Sequence, residues 1–340
     1  MNPIGTDSLP ADLARHRAYA RVFQPGRLTF GFIAPLEGYP DAPAPTLEGH
    51  AALAAQADAL GFAAIWLRDV PFLDPSFGDV GQIHDPMVYA GWLAAITRHI
   101  AIGTAGMVMT LRDPVLIAKQ AASVDQLSGG RLLLGLSTGD RATEYPALAQ
   151  RYDNRADRYR EAHALLRVVT EQRFPMHQTA HYGQLDGNLD LVPKPVGNRL
   201  PTLAIGRCGQ DVDWLARHMD GWIWHQSDFD RLPDVLAQWR ASSDGQVFKP
   251  YGYGVFFDLD ENPDAPLQVG RGIRTGRNAL IALWKRQEAQ GVSHVALNLK
   301  PLRRPAAEVL EELAKYVLPQ FPIGAVGVAG QAVNTSDNET

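Results

Sequence analysis

Apolar residues fall into eight short runs along the chain, and each run is separated from the next by a stretch with helical periodicity. The runs begin near residues 28, 62, 100, 131, 201, 221, 251 and 294. They lack alternating polar positions, which is typical of strands buried on both faces of a parallel sheet. Helices are predicted over residues 11–23, 47–60, 86–98, 114–128, 155–172, 211–218, 232–242, 278–290 and 305–316.

The clearest β-α-β unit covers residues 100–140. Asp113-Pro114 opens its helix, because aspartate suits the N-cap and proline at the first helical position loses no hydrogen bond. Gly129-Gly130 ends the helix. Polar residues 137–140 follow the second strand, at the carboxyl end where parallel α/β proteins place their chemistry. The apolar face predicted for the helix comprises Leu116, Ile117, Ala121, Val124 and Leu127.

Eight strands are the number that closes a parallel sheet on itself, so the pattern predicts an α/β protein with a (β/α)8 TIM barrel. A doubly wound open sheet is the main alternative, but no dinucleotide-binding glycine motif follows the first strand. The rhythm breaks after strand four, where a charged helix and a hairpin over Tyr182–Val192, turning at Asp186-Gly187-Asn188, are predicted. We expect an N-terminal arm over 1–26, one barrel domain over 27–320 with an insertion at 141–200, and a disordered tail over 321–340.

Composition narrows the class of protein. Apolar residues make up 46% of the chain and charged residues 20%, which supports a sizeable core. The net charge of −5 and the lack of a Lys/Arg-rich run speak against a nucleic-acid partner. A single cysteine, Cys208, fits a reducing compartment, and no apolar stretch suits a membrane span or a signal peptide. We therefore expect a cytoplasmic protein without a membrane partner, and the scattered histidines suggest no metal site.

Residues Gly206-Arg207-Cys208-Gly209-Gln210 lie between a predicted strand end and a predicted helix start. Successive backbone amides at such a junction, together with the helix dipole, can bind an anion. The Arg207 side chain could add a bidentate phosphate contact. An ordinary glycine-rich turn is the alternative interpretation.

Several segments carry a resemblance to a known family. They are GTAGMVMTLRDP, AKQAASVDQLSGGRLLLGLSTGD and EYPAL, followed by the pattern IG-x-x-x-Q-x-x-x-WLA-x-x-x-DGW. With them, the chain from Leu28 to Pro319 resembles the bacterial luciferase-like monooxygenase superfamily. The further segments ARVFQPGRLTFGF, RDVPFLDPSFGDVGQ and ALIALWKRQEAQGVSHVALNLK are similar to a subgroup of luciferase-type oxidoreductases. The resemblance implies a (β/α)8 barrel that uses reduced flavin mononucleotide (FMN) or a deazaflavin.

The resemblance also implies cofactor contacts at the strand ends. Gly206, Arg207, Cys208, Gly209 and Gln210 would hold the flavin phosphate. Many relatives carry a serine near Cys208; because a thiol is a poorer hydrogen-bond donor, we expect backbone amides and Arg207 to do more of the binding.

Further contacts are implied on strands three and four. Ser137, Thr138 and Gly139 would contact the flavin ring edge or phosphate. Glu144 either contacts the cofactor or pairs with Arg141 or Arg155. Beneath the flavin ring would lie Thr104, Ala105 and Gly106, with a cis peptide at Ala105–Gly106; an ordinary strand glycine is the alternative.

Arg68 and Asp69 end the second strand, near the place where light-emitting luciferases carry a histidine pair. The absence of that pair speaks against aldehyde oxidation with light emission. We predict Asp69 as a flavin contact or catalytic acid–base group and Arg68 as a contact for an acidic substrate group. A structural ion pair at the barrel rim is the alternative.

Together these observations predict a flavin-dependent monooxygenase that uses O2, a small organic substrate and FMN reduced by a separate flavin reductase. A deazaflavin-dependent hydride-transfer enzyme and a non-catalytic flavin-binding protein are the alternatives. The resemblance further implies a homodimer or a higher homo-oligomer.

Overall fold

A computed structural model describes residues 8–77, 83–226, 228–243 and 247–323. Each of eight strands pairs in parallel with the next, and the last pairs with the first, so the sheet closes into a barrel. The TIM barrel and all eight predicted strand positions are confirmed. The strands are β1 (Thr29–Ile33), β2 (Ala64–Leu67), β3 (Ala101–Thr104), β4 (Leu132–Ser137), β5 (Thr202–Ile205), β6 (Gly221–His225), β7 (Tyr251–Leu259) and β8 (His294–Asn298).

Helices surround the barrel at the predicted places, but two of them begin later in the chain than predicted. The first helix begins at Arg17 rather than residue 11, and the second at His50 rather than residue 47. The second start is late because the Glu37 carboxylate accepts the Leu47 N–H at 3.1 Å, and Leu47 has a positive φ of 60°. The helices are α1 (Arg17–Val22), α2 (His50–Ala59), α3 (Pro86–Ile96), α4 (Pro114–Ser128), α5 (Arg155–Glu171), α6 (Val212–His218), α7 (Leu232–Ser242), α8 (Arg277–Gln290) and α9 (Ala306–Glu312).

The segment between β4 and β5 contains one helical turn (Glu144–Ala147), α5 and a hairpin whose turn we predicted wrongly. Met176–Gln178 pairs with Gln184–Asp186, so the chain reverses over residues 179–183. Gly183 supplies the positive φ, 87°, that this turn needs. The N–H of Gly187 donates to the Pro175 carbonyl, which places Asp186-Gly187 at the base of the hairpin instead of its tip.

The α4 helix begins and ends as predicted, but its apolar face is narrower. The Asp113 carboxylate accepts the N–H groups of Val115 at 2.8 Å and Leu116 at 3.1 Å, and Gly129 ends the helix with a φ of 67°. Leu116 and Leu127, which we predicted as core residues, are 63% and 78% exposed. They lie outside the buried stripe of Ile117, Ala121 and Val124.

Two apolar layers form the core. The outer layer packs strand residues such as Phe32 and Leu134 against the surrounding helices. The inner layer fills the lower part of the barrel with Trp66, Leu133, Leu203, Ile223 and Ala296. The arm closes this layer from below through residues of α1 and its flanks: Leu13, Ala18, Tyr19, Val22 and Phe23. At the other terminus, Phe321 of the predicted tail is buried against Phe30 and Trp284, and residues 324–340 lie outside the described residues.

Candidate functional site

A cavity of about 420 Å³ opens at the carboxyl ends of the strands. This volume lies within the usual range for small-molecule sites. Most of the predicted site residues line it, so the structure brings together chain segments that are far apart in sequence. They are Arg68, Asp69, Ala105, Gly106, Ser137, Thr138, Gly139, Glu144, Gly206, Arg207, Cys208 and Gly209.

Thr104 and Gln210 are not among the residues that line the cavity. Thr104 is fully buried, and its hydroxyl donates to the Gly135 carbonyl at 2.7 Å. Gln210 accepts from Arg160 Nε at 2.6 Å and donates to the carbonyls of Ala156 and Cys208 at 2.9 and 3.1 Å. Both side chains therefore hold the backbone around the site, and neither lines the cavity in which we predicted cofactor contacts.

The loop at residues 206–209 leaves three successive backbone amides open. The N–H of Gly206 bonds to Ile223 and that of Gln210 bonds back to Arg207, whereas the N–H groups of Arg207, Cys208 and Gly209 have no partner in the described parts of the chain. Positive φ angles at Gly206 (69°), Cys208 (53°) and Gly209 (67°) give the loop its shape. Open amides in such a turn form an anion-binding nest.

Two aromatic side chains support this loop. Trp222 is buried, and its indole N–H donates to the Gly206 carbonyl at 2.8 Å. Trp224 lines the cavity, with the Arg207 guanidinium 4.6 Å from its ring centroid. Arg207 is otherwise exposed, so its charge lies at the cavity edge beside the open amides.

The Cys208 thiol points away from the loop. It donates to the Leu136 carbonyl at 3.2 Å and is buried, and burial raises the pKa of Cys208 to about 12. The sulfur therefore remains a neutral thiol that ties the loop to β4. The thiol hydrogen therefore points at β4, and the amides and Arg207 are the donors left at the loop.

The peptide bond between Ala105 and Gly106 is cis, as the resemblance implied. Gly106 is tightly enclosed, since a Cβ there would lie 2.6 Å from the Ile205 side chain. Ser137 donates to the Gly106 carbonyl at 3.2 Å, which links the ends of β3 and β4. The cavity wall here is therefore backbone rather than side chain.

Thr138 and Gly139 continue this wall. The Thr138 carbonyl accepts from the Thr110 hydroxyl at 2.7 Å and from the Tyr145 hydroxyl. Gly139 has a φ of 77°, and a Cβ there would lie 2.7 Å from Val108. Tyr145, the aromatic residue after Glu144, thus fixes the end of β4 without entering the cavity.

Asp69 forms the ion pair that was our structural alternative, with a partner that we did not predict. Its two carboxylate oxygens accept from Arg112 at 3.0 and 2.7 Å, and one also accepts the Val108 N–H at 3.0 Å. Arg112 reaches Asp85 as well, at 3.0 Å. The carboxylate is 9% exposed and fully engaged, so this geometry favours a structural role over the predicted acid–base role.

Glu144 is the carboxyl group with the most unusual surroundings in the cavity. It is 4% exposed, and its Oε1 atom has no hydrogen-bond partner in the described parts of the chain. Desolvation raises the pKa of Glu144, the charge of Arg141 opposes this, and Asp69 and Asp140 reinforce it. Neither Arg141 nor Arg155 forms an ion pair with Glu144 among the described contacts, so the pairing alternative is not seen.

Sequence reasoning did not assign Tyr152, Arg155 or His225 to the site, although all three line the cavity. Arg155 stacks on Tyr152, with its guanidinium carbon 3.6 Å from the ring centroid. Desolvation at the cavity lowers the pKa of His225, and the charge of Arg68 adds to this. The position of His225 at the end of β6 was the signal that could have identified it, whereas nothing in the sequence places residues 152 and 155 here.

Among the residues that the structure describes, no cluster of three histidine, cysteine or acidic side chains is arranged to hold a metal ion. Within the same ranges, no helix combines the length and the apolar character that crossing a bilayer requires.

Curated relatives match parts of this chain. An uncharacterised Mycobacterium tuberculosis protein is 30% identical over 171 residues, which is 47% of this chain and 58% of the relative. The alkanal monooxygenase beta chain of Photorhabdus luminescens is 38% identical over 85 residues, a quarter of each protein. The chain thus spans little more than half the length of the first of these relatives and a quarter of the second.

Solved structures with the same fold cover nearly the whole barrel. Monooxygenase RslO1 from Streptomyces bottropensis has a TM-score of 0.72 at 17% identity, covering 86% of this chain and 99% of its own. An F420-dependent secondary alcohol dehydrogenase has a TM-score of 0.68 at 17% identity, covering 84% and 98%. The oxygenating constituent of 3,6-diketocamphane monooxygenase from Pseudomonas putida, in complex with FMN, has a TM-score of 0.69 at 14% identity, covering 88% and 100%.

The luciferase-like monooxygenase sequence profile matches residues 28–265. That range begins just before β1 and ends just after β7, and it includes every residue that lines the cavity. The chain therefore belongs to the luciferase-like monooxygenase family.

Proposed function

We propose that this protein is a flavin-dependent oxidoreductase, most specifically a monooxygenase that uses reduced FMN and O2 on a small organic substrate. The observation that carries the proposal is the anion nest at residues 207–209, which borders a cavity of cofactor size. FMN joins a phosphate to a large planar ring, and the two ends of the cavity suit those two parts.

The residues present fit the phosphate. Three open amides can donate to phosphate oxygens, and Arg207 adds a guanidinium beside them. Arg68, Arg141 and Arg155 also line the cavity, so its positive charge exceeds its negative charge once Asp69 is paired with Arg112. A cavity with this balance favours an anionic ligand.

The residues on the opposite side fit a flat ring. The backbone at Ala105–Gly106 and the adjacent Ser137 form a wall without bulky side chains, and Trp224 and Ile205 supply apolar surface. Such a wall lets a planar group approach the main chain closely. Bound reduced flavin would supply the oxygen activation or the hydride, and the protein would bind, orient and shield it.

The titratable side chains that line the cavity are the candidates for proton transfer and substrate binding. Desolvation raises the pKa of Glu144, which stabilises its protonated, hydrogen-bond-donating form relative to that of a solvent-exposed glutamate. Arg68 and His225, which line the cavity at the ends of β2 and β6, would bind an acidic group of the substrate. We do not retain Asp69 as an acid or base, because Arg112 occupies both of its oxygens.

Deazaflavin-dependent hydride transfer is the second candidate, since a structural neighbour is an F420-dependent dehydrogenase. The same nest would serve either cofactor, because both carry a phosphate. A non-catalytic flavin-binding protein is the third candidate, and it has the least support because titratable side chains such as Glu144 and His225 line the cavity.

The test combines binding with turnover. Titration with FMN, reduced FMN and reduced deazaflavin should show saturable binding, with reduced FMN bound at least as tightly as the others. Oxygen uptake with reduced FMN and candidate substrates separates monooxygenation from hydride transfer, which consumes no oxygen. Failure of every one of these cofactors to bind would contradict the proposal.

We also propose a homodimer or higher homo-oligomer, a separate flavin reductase as functional partner, and a cytoplasmic location. Support for self-association comes from exposed apolar side chains on adjacent helices: Val88 and Trp92 of α3 and Leu116 of α4 are 72%, 40% and 63% exposed. Light scattering on the purified protein tests this directly, and a monomer at micromolar concentration would contradict it.

A further inference from the structure

A second basic cavity lies on the outside of the barrel between α5 and α6, and it shares no lining residue with the cavity at the strand ends. We call it the α5–α6 groove. Its volume is about 550 Å³, which is within the range of small-molecule sites. Nothing in the proposed function uses this groove, so it requires its own explanation.

The groove is formed by two facing helix surfaces. Arg160, His163 and Arg167 follow one another at helical spacing on α5. Trp214, Arg217 and His218 do the same on α6. Residues three or four apart share a helix face, so each helix presents a continuous strip of basic and aromatic groups to the groove.

The charge of the groove is strongly one-sided. Its lining has the five cationic residues Arg160, Arg167, Arg199, Arg217 and Lys249 and a single carboxylate, that of Asp220. In a chain with a net charge of −5, such a local excess of positive charge selects an anion.

Part of this charge is already balanced. Asp220 pairs with Arg199, and Glu171 pairs with Arg167 at 2.5 Å. Arg160 donates only to the neutral Gln210 amide, at 2.6 Å, and Arg217 is exposed without an ion pair among the described residues. These two guanidinium groups remain for a ligand, and guanidinium groups bind phosphate in a bidentate manner.

The aromatic groups point to a planar part of the same ligand. The rings of Trp214 and His218 stack with centroids 4.3 Å apart, and His218 is exposed. His163, which is 5% exposed, packs edge-on against Trp214 at 5.8 Å, and its Nε2 atom is buried without a hydrogen-bond partner in the described parts of the chain. The exposed His218 ring, which stacks on Trp214, offers a flat face that suits a heteroaromatic base.

We propose that the α5–α6 groove binds a nucleoside monophosphate, with the phosphate on Arg160 and Arg217 and the base against the Trp214–His218 stack. The groove has the volume for one such ligand. The site is independent of the cofactor cavity and of the activity proposed for it.

The test is calorimetric titration with AMP, adenosine and inorganic phosphate as probes. AMP should bind saturably at one site, and adenosine and phosphate should each bind at least tenfold more weakly. Arg217→Glu should weaken AMP binding at least tenfold, whereas Arg286→Glu, a charge reversal at an exposed arginine of α8, should leave it unchanged. Trp214→Phe keeps a ring and should have a smaller effect than Trp214→Leu.

The variant Arg207→Ala separates the two sites. AMP binding that survives Arg207→Ala and is lost in Arg217→Glu supports the groove. Loss in Arg207→Ala with retention in Arg217→Glu would assign the AMP to the cofactor cavity and overturn the proposal. Equal affinity for phosphate and AMP, or no saturable binding, would overturn it as well.

Discussion

Desolvation of the buried Glu144 carboxyl group raises its pKa, so folding stabilises the protonated form relative to the ionised form. In the unfolded chain the same group ionises in water. As pH rises through the folded-state pKa, this difference therefore destabilises the native state.

We accordingly expect Glu144→Gln to match or exceed the wild-type unfolding free energy at pH 8, and this advantage should shrink as the pH falls towards 4. Urea denaturation at several pH values measures it. Glu261→Gln, at an exposed glutamate, is the control and should show no such trend. An advantage that instead grows in acid would contradict the assignment.

The Arg207 side chain should contribute directly to the affinity for FMN. Its guanidinium lies at the cavity edge with no ion pair among the described residues, so its removal should cost a charged hydrogen bond to the cofactor phosphate. Arg207→Ala should weaken FMN binding by about 1.5–3 kcal/mol, roughly tenfold to a hundredfold. Flavin fluorescence titration measures this, with Arg286→Ala as the matched control; an unchanged affinity would refute the phosphate contact.

Individual site residues were predictable to an uneven degree. The nest at 206–209 could be recognised because its glycines and its place between strand and helix are visible locally. The role of Asp69 could not, since its partner Arg112 is 43 residues away and only the barrel brings β2 and the loop after β3 together. Thr104 and Gln210 lie outside the cavity lining because their polar atoms bond to backbone groups that the sequence does not show to be near.

At the scale of elements, the LSGGR segment shows how one side chain joins three of them. Arg131 is 2% exposed, and its guanidinium donates five hydrogen bonds of 2.8–3.1 Å, none of them to a carboxylate of the described residues. The acceptors belong to the end of α3, the start of β3 and the end of α4: Ala94, Thr97, Ile100 and Ser128. The arginine that helps to identify the family is thus structural.

Replacing this side chain should be costly. Arg131→Met keeps much of the volume but leaves buried carbonyl groups unpaired, so we expect a loss of about 3–5 kcal/mol in unfolding free energy. Chemical denaturation compares it with Arg286→Met on the surface of α8. A loss below about 1 kcal/mol would show that water replaces the guanidinium, contrary to this interpretation.

The elements themselves were largely predictable, because buried parallel strands are continuous apolar runs and helices carry their own start and stop signals. Asp85 and Asp113 cap α3 and α4 as expected. The predicted position of the hairpin turn was wrong for a physical reason. Gly183 and Gly187 both have a positive φ, and only strand pairing decides which of them forms the turn. The exposed Leu116 and Leu127 show that a helix can carry apolar residues beyond its buried stripe.

At the scale of the whole molecule, buried histidines govern acid stability. Desolvation lowers the pKa of His50 to about 4 and those of His163 and His294 to about 3. His294 accepts the Trp66 indole N–H at 2.9 Å and His50 accepts the Leu36 N–H at 2.8 Å, so protonation would place donor against donor. The unfolded chain binds these protons near pH 6.5, and stability therefore falls with pH from about 6.5 down to the folded-state values.

The free energy of unfolding should therefore decrease at a definite rate as the pH falls below about 6.5. Each such histidine should contribute about 1.4 kcal/mol per pH unit between pH 6 and 4. His163→Leu removes a ring whose buried nitrogen has no partner and should flatten the dependence by about that amount. His99→Gln, at an exposed histidine, should leave the slope unchanged. Unfolding free energies across this range decide the matter; an unaltered slope in His163→Leu would contradict it.

The barrel as a whole was predictable from its rhythm, since eight alternating units leave few architectures. The residues that line the cavity were harder to predict. Tyr152, Arg155 and His225 reach it only through the tertiary arrangement of the segment after β4 and the end of β6. The α5–α6 groove escaped sequence reasoning for the same reason. In the sequence, the mixed charges of α5 are typical of a solvent-exposed helix face. Only the structure shows that α6 lies beside that face.

The position of the N-terminal arm beneath the barrel affects the order in which the chain folds during synthesis. Its contacts span most of the sequence: the Tyr19 hydroxyl donates to the Asp220 carbonyl at 2.7 Å, and the Phe248 N–H donates to the Ser8 carbonyl at 3.2 Å. Contacts at such separations form slowly. Residues 8–23 therefore leave the ribosome among the first of those described here and reach their final place among the last.

Pulse-labelled hydrogen exchange during refolding should accordingly protect the Ala18 amide, which bonds to the Gly130 carbonyl, later than amides within α4 such as that of Ala121. Protection of Ala18 ahead of α4 would contradict this order. Until the arm docks, the growing chain has a barrel open at one end, and its inner apolar wall is then accessible to chaperones.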